Sequence, residues 1–491
     1  MTTSKDSYDA MMCAITNFSE VSKEVYSFDE IGYYDLKAGQ KYVMPSVIIS
    51  QEGIERNDTY LLELQDEYTR FLDFSILDTK EFGSVATHIV NDYFNANDPI
   101  AGMTIFAHAM ASVCIKAVEE ATHYKKSPVL WWWGGYGGGK TWMLEQAQYF
   151  FGDFEKASNM SSTGSYKSKI GVAHHFRHAF SFYDDSKDSL ASDGGRGMKQ
   201  FVQNAYDRSI MSALSRDGSL RKNPSRVRGL VAISAEDPLE KEASAISRLI
   251  SLDITPDMKK DKGEKVIQMR HLYKGFTPYV IKHVLNMSRE TFAQMWKTFS
   301  QQLSEGVSTG ASDKSGANRI CENLTLNYLG MQVALDTMVS NGAIDYDMAK
   351  GLALKHLENL KGIRDRMIQS VWAARGSQVF LEQLRQLLAD PVKYKILGWS
   401  GTDIEAASRA KALGFINKKN PEVVYIYNEL AYEAVSVAMR AKNTIPQSLT
   451  QISRQLAEDD CFVESMCNRK DKKFTCKRTD PNKIVQIVYP L

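Results

Sequence analysis

The spacing of apolar positions changes character several times along this chain. Residues 1–80 mix short β-rich runs with polar turns, and 41–49 reads as a strand pair or one strand interrupted at Pro45. From 82 to 126 the spacing becomes helical. The strongest stretch, 100–118, reads as a buried core helix rather than a membrane element, because His108, Lys116 and polar flanks interrupt it. Between 127 and 255, short apolar runs at 129–133, 178–183, 229–234 and 249–254 alternate with helical segments, the pattern of a parallel α/β sheet. Residues 256–266 are crowded with charge and read as a solvated loop. From 275 to 389 the chain is almost wholly helical, apart from a polar stretch at 304–315 that holds Gly306, Gly310 and several serines. The last hundred residues read as a small α+β module, with a helix at 450–457 and basic, strand-like segments ending at 484–489. No internal repeat and no low-complexity tract interrupts this order.

These shifts divide the chain into an N-terminal accessory region (1–80), a helical lead-in (81–126), an α/β core (127–266), a helical lid (267–389) and a C-terminal module (390–491). A chain of 491 residues is too long for a single core, which fits that division. The net charge of +1 creates no global field, so any contact with nucleic acid rests on local basic patches. No apolar run reaches the roughly 18 residues needed to cross a bilayer, and the start, Met1-Thr2-Thr3-Ser4-Lys5-Asp6, is unlike a signal peptide. Six sparse, irregularly spaced cysteines fit reduced thiols. The expectation is a soluble cytoplasmic protein that does not engage membranes.

The chemistry concentrates at 134–141, Gly-Gly-Tyr-Gly-Gly-Gly-Lys-Thr, a full match to the phosphate-binding loop G-x-x-x-x-G-K-[ST]. Its flanks are an apolar run ending in Trp131-Trp132-Trp133 and a helical pattern opening at Thr141-Trp142. Strand, glycine turn and helix in that order aim backbone N–H groups and a helix N-terminus at a polyphosphate. Gly134, Gly135, Gly137, Gly138, Gly139, Lys140, Thr141 and Trp142 are therefore the expected ATP contacts. Lys140 reaches the β- and γ-phosphates in this reading, and the Thr141 hydroxyl ligates Mg²⁺.

A second acidic element is needed to hold the metal and orient the attacking water. The run at 178–183 ends in Asp184-Asp185, which assigns Asp184 to the metal and Asp185 to the water; an ordinary strand followed by an acidic turn is the plain alternative. Next, 229–234 ends in Ser234-Ala235-Glu236. In ATPases with an inserted central strand a polar side chain here sits between water and γ-phosphate, so Ser234 is the sensor candidate, against a simple strand terminus. Arg248 directly precedes the run at 249–254. It is a candidate to reach the γ-phosphate of a neighbouring subunit, an interaction worth roughly 10³–10⁵ in rate in well-studied cases; a surface salt bridge is the alternative. Arg319 could act as a second phosphate sensor from the helical lid, or simply lie on a helix surface. His174 and His178 are four apart, a zinc-compatible spacing, but H-E-x-x-H and a nearby third ligand are missing, so core or surface histidines are expected.

The series Gly134–Thr141, Asp184-Asp185, Ile233-Ser234-Ala235-Glu236, Arg248 and Arg319 resembles the AAA+ helicases of phage and mobile-element replication modules, including the self-loading, MCM-like helicases of bacterial genomic islands. The resemblance spans about residues 125–335. It implies an AAA+-like P-loop NTPase core, a hexameric ring with ATP between subunits, translocation on DNA and a C-terminal winged helix. Asp185 stands where ring-forming helicases more often carry Glu, one methylene longer.

Two basic segments are candidate DNA contacts. Residues 216–228 carry five cations around a glycine turn, and related helicases use a hairpin just before the sensor strand to grip the phosphate backbone; Arg221 and Lys222 are the preferred contacts, a solvated loop the alternative. Residues 469–478 carry six cations and Phe474 and resemble the wing of a winged helix, with Lys472 and Lys473 as contacts; a soluble charged hairpin is the alternative. The leading expectation is an ATP-driven, ring-forming DNA helicase or replication initiator, with a primase or other replication proteins as further partners. The rival is a P-loop ATPase that is not a helicase and acts in remodelling, packaging or defence.

Overall fold

The computed structural model describes residues 26–62, 64, 69–155, 166–184, 196–210, 225–239, 243–255, 257–307, 314–389, 393–398, 412–417, 420–441, 446–458 and 485–488. They fall into two compact units. The first takes in residues up to 238, 249–303 and 323–363; the second takes in 239–248, 304–322 and everything from 364 onward.

In the first unit, β1 (Tyr26–Phe28) pairs in parallel with β6 (Tyr60–Leu62), while β2 (Gly32–Leu36), β3 (Gly39–Val43), β4 (Val47–Ile49) and β5 (Ile54–Arg56) form an antiparallel meander in that order. The meander is fixed to the rest of the unit through buried polar contacts. Tyr33 donates its hydroxyl to Val113 O at 2.8 Å and its N–H to His178 Nδ1 at 3.2 Å, and Tyr42 donates to His178 O at 3.1 Å. Gly32, at φ +110°, has no room for a side chain: a Cβ would lie 2.9 Å from Arg177 O.

The central sheet consists of β7 (Val129–Trp133), β8 (Phe180–Asp184), β9 (Leu230–Ala235) and β10 (Leu249–Asp253), all parallel, in the spatial order β10-β7-β9-β8. The four apolar runs of the sequence are thus the four strands. β9 is inserted between β7 and β8, so Trp132 is registered with Ser234, and Ser234 with Asp184. Because every strand points the same way, the polar residues that end them share one edge, where ligands of open α/β sheets bind.

The three tryptophans of β7 are each provided for. The Nε1–H of Trp131 donates to Asp237 O at 3.2 Å, that of Trp132 to Ile254 O at 3.0 Å, and that of Trp133 to the Ser251 hydroxyl at 3.2 Å. Those bonds allow Trp131 and Trp132 to be fully buried in the sheet without an orphaned donor.

Helix Pro99–Thr122 begins at Asp98, whose carboxylate accepts from the N–H groups of Ile100 and Ala101, with Pro99 in the first turn. It is buried on all sides from Ala101 to Ile115, as expected for a helix that is apolar all round. By length and composition it could cross a membrane, which corrects the expectation that no apolar run is long enough; 83% of its most apolar stretch lies inside the protein. His108 on this helix meets Val231 O of β9 at 3.2 Å, and Gly330 of helix Lys314–Ser340 lets that helix approach so closely that a Cβ would fall 2.3 Å from Ala107 O.

The charged run 256–266, read as a loop, instead contributes most of helix Lys260–Met269. Gly263 and Val266, three apart, supply its buried stripe, and Lys262 pairs with Asp92 at 2.7 Å. Dense charge concealed that short period. Helices Thr277–Asn286, Arg289–Ser304, Lys314–Ser340, Tyr346–Ala373 and Gly376–Leu388 follow, as the helical spacing predicts.

The second unit holds β11 (Lys395–Gly398), β12 (Ala412–Asn417), β13 (Asn420–Ile426) and β14 (Val485–Val488) in that order, with β11 parallel to β12 and the other pairs antiparallel. Phe380, Leu384, Leu413, Ile426, Val435, Ile452 and Leu456 form its core, contributed by this sheet and by helices Gly376–Leu388, Asn428–Ala441 and Leu449–Glu458.

Candidate functional site

Strand β7 leads into Gly134 at φ +149°, and the turn continues through Gly137 and Gly139, both at φ +82°, before helix Lys140–Gln148 begins. Side chains other than glycine rarely adopt that conformation, so the glycines are required by the turn. A Cβ at Gly135 or Gly137 would meet nothing within 4 Å; at Gly137 it is backbone angle, not crowding, that excludes a side chain. Gly134 N–H is tied to Ala235 O, which anchors the loop to the end of β9.

Lys140 is 7% exposed, and its ammonium donates to Gly134 O at 2.8 Å and Gly135 O at 2.7 Å. Burial lowers its pKa from the ordinary lysine value, while Glu236 and Asp184 oppose that shift. The cation is therefore curled against the loop that carries it. Beside it, Asp184 Oδ1 accepts from the Thr141 hydroxyl at 3.1 Å and from the Ser234 hydroxyl at 2.6 Å, and the two hydroxyls are 3.3 Å apart. Strand order produces this cluster, since β9 delivers Ser234 between the helix that carries Thr141 and the strand that carries Asp184.

A hydroxyl and a carboxylate at the N-terminus of a helix, next to a buried ammonium, form a hard-oxygen donor set of the kind Mg²⁺ takes together with phosphate oxygens. The residues present fit a magnesium–nucleotide complex in both charge and donor type. Tyr136, at the tip of the loop, is 94% exposed.

The structure therefore brings together Lys140, Thr141, Asp184 and Ser234, with Glu236 near enough to act on Lys140. Gly134, Gly135, Gly137, Gly138 and Gly139 make the turn, and Trp142 lies half-buried in the first turn of its helix. Arg248 and Arg319 belong to the second unit. Arg248 follows helix Ala243–Ile246 and its guanidinium bonds to Ser244, whose hydroxyl is 3.0 Å away; Arg319 is half-buried on helix Lys314–Ser340. Asp185, Arg221, Lys222, Lys472 and Lys473 lie outside the described residues.

Within the basic segment before β9, Arg228 is committed elsewhere, paired with Glu30, which also meets His174 Nε2 at 3.1 Å. His178 stands at φ +56° beyond the end of helix Tyr166–His175 and is engaged with Tyr33. The two imidazoles are thus held by separate structural contacts, and among the described residues no group of three or more His, Cys, Asp or Glu side chains is placed to hold a metal ion.

Sequence reasoning missed Asn97 and Met258. Asn97 is fully buried, and its Nδ2 donates to Gly138 O at 3.1 Å. Met258 Sδ would lie 3.3 Å from a Cβ on Gly139. Both reach the loop from segments far away in the chain, so no local pattern marks them.

Neither a protein-family model nor a curated protein sequence matches this chain. Among solved structures, it is similar to the one described as the active helicase Cch of SCCmec type IV, with a TM-score of 0.64 at 10% identity, covering 99% of this chain and 84% of that one. The apo C-terminal region of NrS-1 also matches, at 10% identity over 75% of this chain and 84% of that one, with a TM-score of 0.20. The first likeness establishes a shared fold, a parallel α/β core with accompanying helices of the kind found in that helicase.

Proposed function

We propose that the protein is an ATP-driven DNA helicase of a mobile element, built on an AAA+-like P-loop core. The observation that carries this reading is the meeting of the Thr141 hydroxyl with the Asp184 carboxylate at 3.1 Å, directly after a glycine loop whose lysine is buried. The inserted strand β9 and the fold shared with a structure described as an active helicase support it.

In this reading the loop N–H groups and Lys140 bind the triphosphate, with Lys140 exchanging its two carbonyl partners for phosphate oxygens. Thr141 and Asp184 hold Mg²⁺, which when bound neutralises charge on the β- and γ-phosphate oxygens. Ser234 orients Asp184 and faces the γ-phosphate position. Asp185 accepts the proton of the attacking water. Arg248 acts on a neighbouring subunit's nucleotide in a ring, expected to be a hexamer, and Arg319 contacts phosphate from the helical lid. Arg221 and Lys222, with Lys472 and Lys473 on a winged-helix-like C-terminal module, grip the DNA backbone without reading bases.

The test is unwinding of forked DNA by the full chain with ATP and Mg²⁺, alongside phosphate release, in wild type and Lys140→Ala. Unwinding that vanishes in the variant supports the proposal. ATP hydrolysis without strand separation would favour a remodelling or packaging ATPase instead, and an unaltered Lys140→Ala would remove the motor altogether.

A further inference from the structure

Asn97 occupies a place that no glycine-loop pattern requires. It sits at the entrance to helix Pro99–Thr122, is completely buried and uses both ends of its amide. Its Oδ1 accepts from the N–H groups of Asp98 and Asp257, both at 2.8 Å, and its Nδ2 donates to Gly138 O at 3.1 Å, with Met258 Sδ at 3.9 Å. One rung further on, Lys259 N–H bonds to Ala96 O at 2.9 Å. The segment that leaves β10 is thus stitched to the helix entrance, and a single side chain extends that stitching to the glycine loop.

The contact is close as well as polar. A Cβ on Gly139 would lie 3.2 Å from Asn97 Nδ2 and 3.3 Å from Met258 Sδ. Gly139 is therefore required as glycine by its φ of +82°, and a Cβ there would also press tightly on both side chains.

We infer that Asn97 is a positioning residue for nucleotide, fixing the Gly138–Gly139 peptide so that its N–H points into the phosphate cradle. A trans peptide is planar, so the carbonyl and the following N–H point in opposite directions. Holding Gly138 O toward Asn97 turns the Gly139 N–H away from it. Without that bond the peptide between Gly138 and the left-handed Gly139 can rotate, because glycine imposes little torsional restriction. Binding triphosphate would then have to order the loop as well as contact it.

This inference rests on the nucleotide reading above, and the experiment separates the two. Affinity for ATP–Mg²⁺ and steady-state hydrolysis are measured for the full chain as wild type, Asn97→Ala, Asn97→Asp and Tyr33→Phe. Asn97→Asp keeps the acceptor used by Asp98 and Asp257 but offers the Gly138 carbonyl no donor; Asn97→Ala removes both ends without adding charge. Both are expected to raise KM for ATP about tenfold, the factor one hydrogen bond is worth, with kcat within about twofold of wild type. Tyr33→Phe, which loses a buried hydroxyl bond to Val113 in the same unit, is expected to lower Tm and leave KM alone. If wild type binds ATP and the two Asn97 variants retain its KM, or lose kcat alone, the positioning role is overturned while the nucleotide site stands. If wild type binds no ATP, the nucleotide reading itself falls.

Discussion

Ser234 donates its hydroxyl to Asp184 Oδ1 across 2.6 Å, the same oxygen that Thr141 reaches at 3.1 Å. The residue expected to sense the γ-phosphate is therefore engaged with the carboxylate proposed to hold the metal. Partners that orient a ligating carboxylate typically contribute about 10- to 100-fold in metal affinity. Ser234→Ala is expected to weaken nucleotide binding about tenfold in the presence of Mg²⁺ and little when EDTA is present. Equal affinities of variant and wild type in Mg²⁺ would show that Ser234 does not act through Asp184.

Thr141→Ala removes the proposed metal ligand itself and should go further, lowering ATP turnover by about two orders of magnitude or more. Retention of ATP binding in EDTA would show that the loop still holds phosphate. A variant that hydrolyses ATP at the wild-type rate would dismiss the metal assignment.

Gly330 packs its backbone on helix Pro99–Thr122, and an added Cβ would fall 2.3 Å from Ala107 O and 2.5 Å from Ala111 N. Backbone atoms cannot swing aside as a long side chain can. Gly330→Ala should cost about 1–3 kcal/mol through overpacking, despite alanine's better helix propensity. Thermal or denaturant unfolding measures it, and an unchanged or raised Tm would contradict this close approach.

Stability should decline in mild acid. His108 is fully buried against Val231, and burial pushes its pKa down to about 4; His356, hydrogen-bonded to Asn327 at 2.9 Å, is pushed down to about 3. Each takes up a proton more readily unfolded than folded, so unfolding is favoured as pH falls below about 6.5, the unperturbed histidine value. For His108 the loss approaches an order of 3 kcal/mol by the time pH reaches its folded value. Denaturant titrations between neutral pH and pH 4.5 should show this slope, reduced in His108→Gln. Identical slopes in the two proteins would rule His108 out as a source of the acid sensitivity.

The sequence made the central strands legible because each is a short apolar run bounded by polar turns, and the candidate site was read from the residues at their ends. β8 begins two residues later than the apolar run that predicts it, since His178 takes a left-handed turn before Phe180. Helix Lys260–Met269 was hidden because only Gly263 and Val266 mark its buried side among many charges. Asn97 was invisible for a different reason. Its partners beyond the adjacent Asp98 include groups 41 and 160 positions away, a relation that only the folded chain creates.

The indole run of β7 has one practical consequence. Trp133 ends where the glycine turn begins, and Trp142 follows two residues behind Lys140. Any ligand that reshapes this turn must alter the surroundings of fluorophores already in place, so emission from the unlabelled polypeptide can report occupancy in real time.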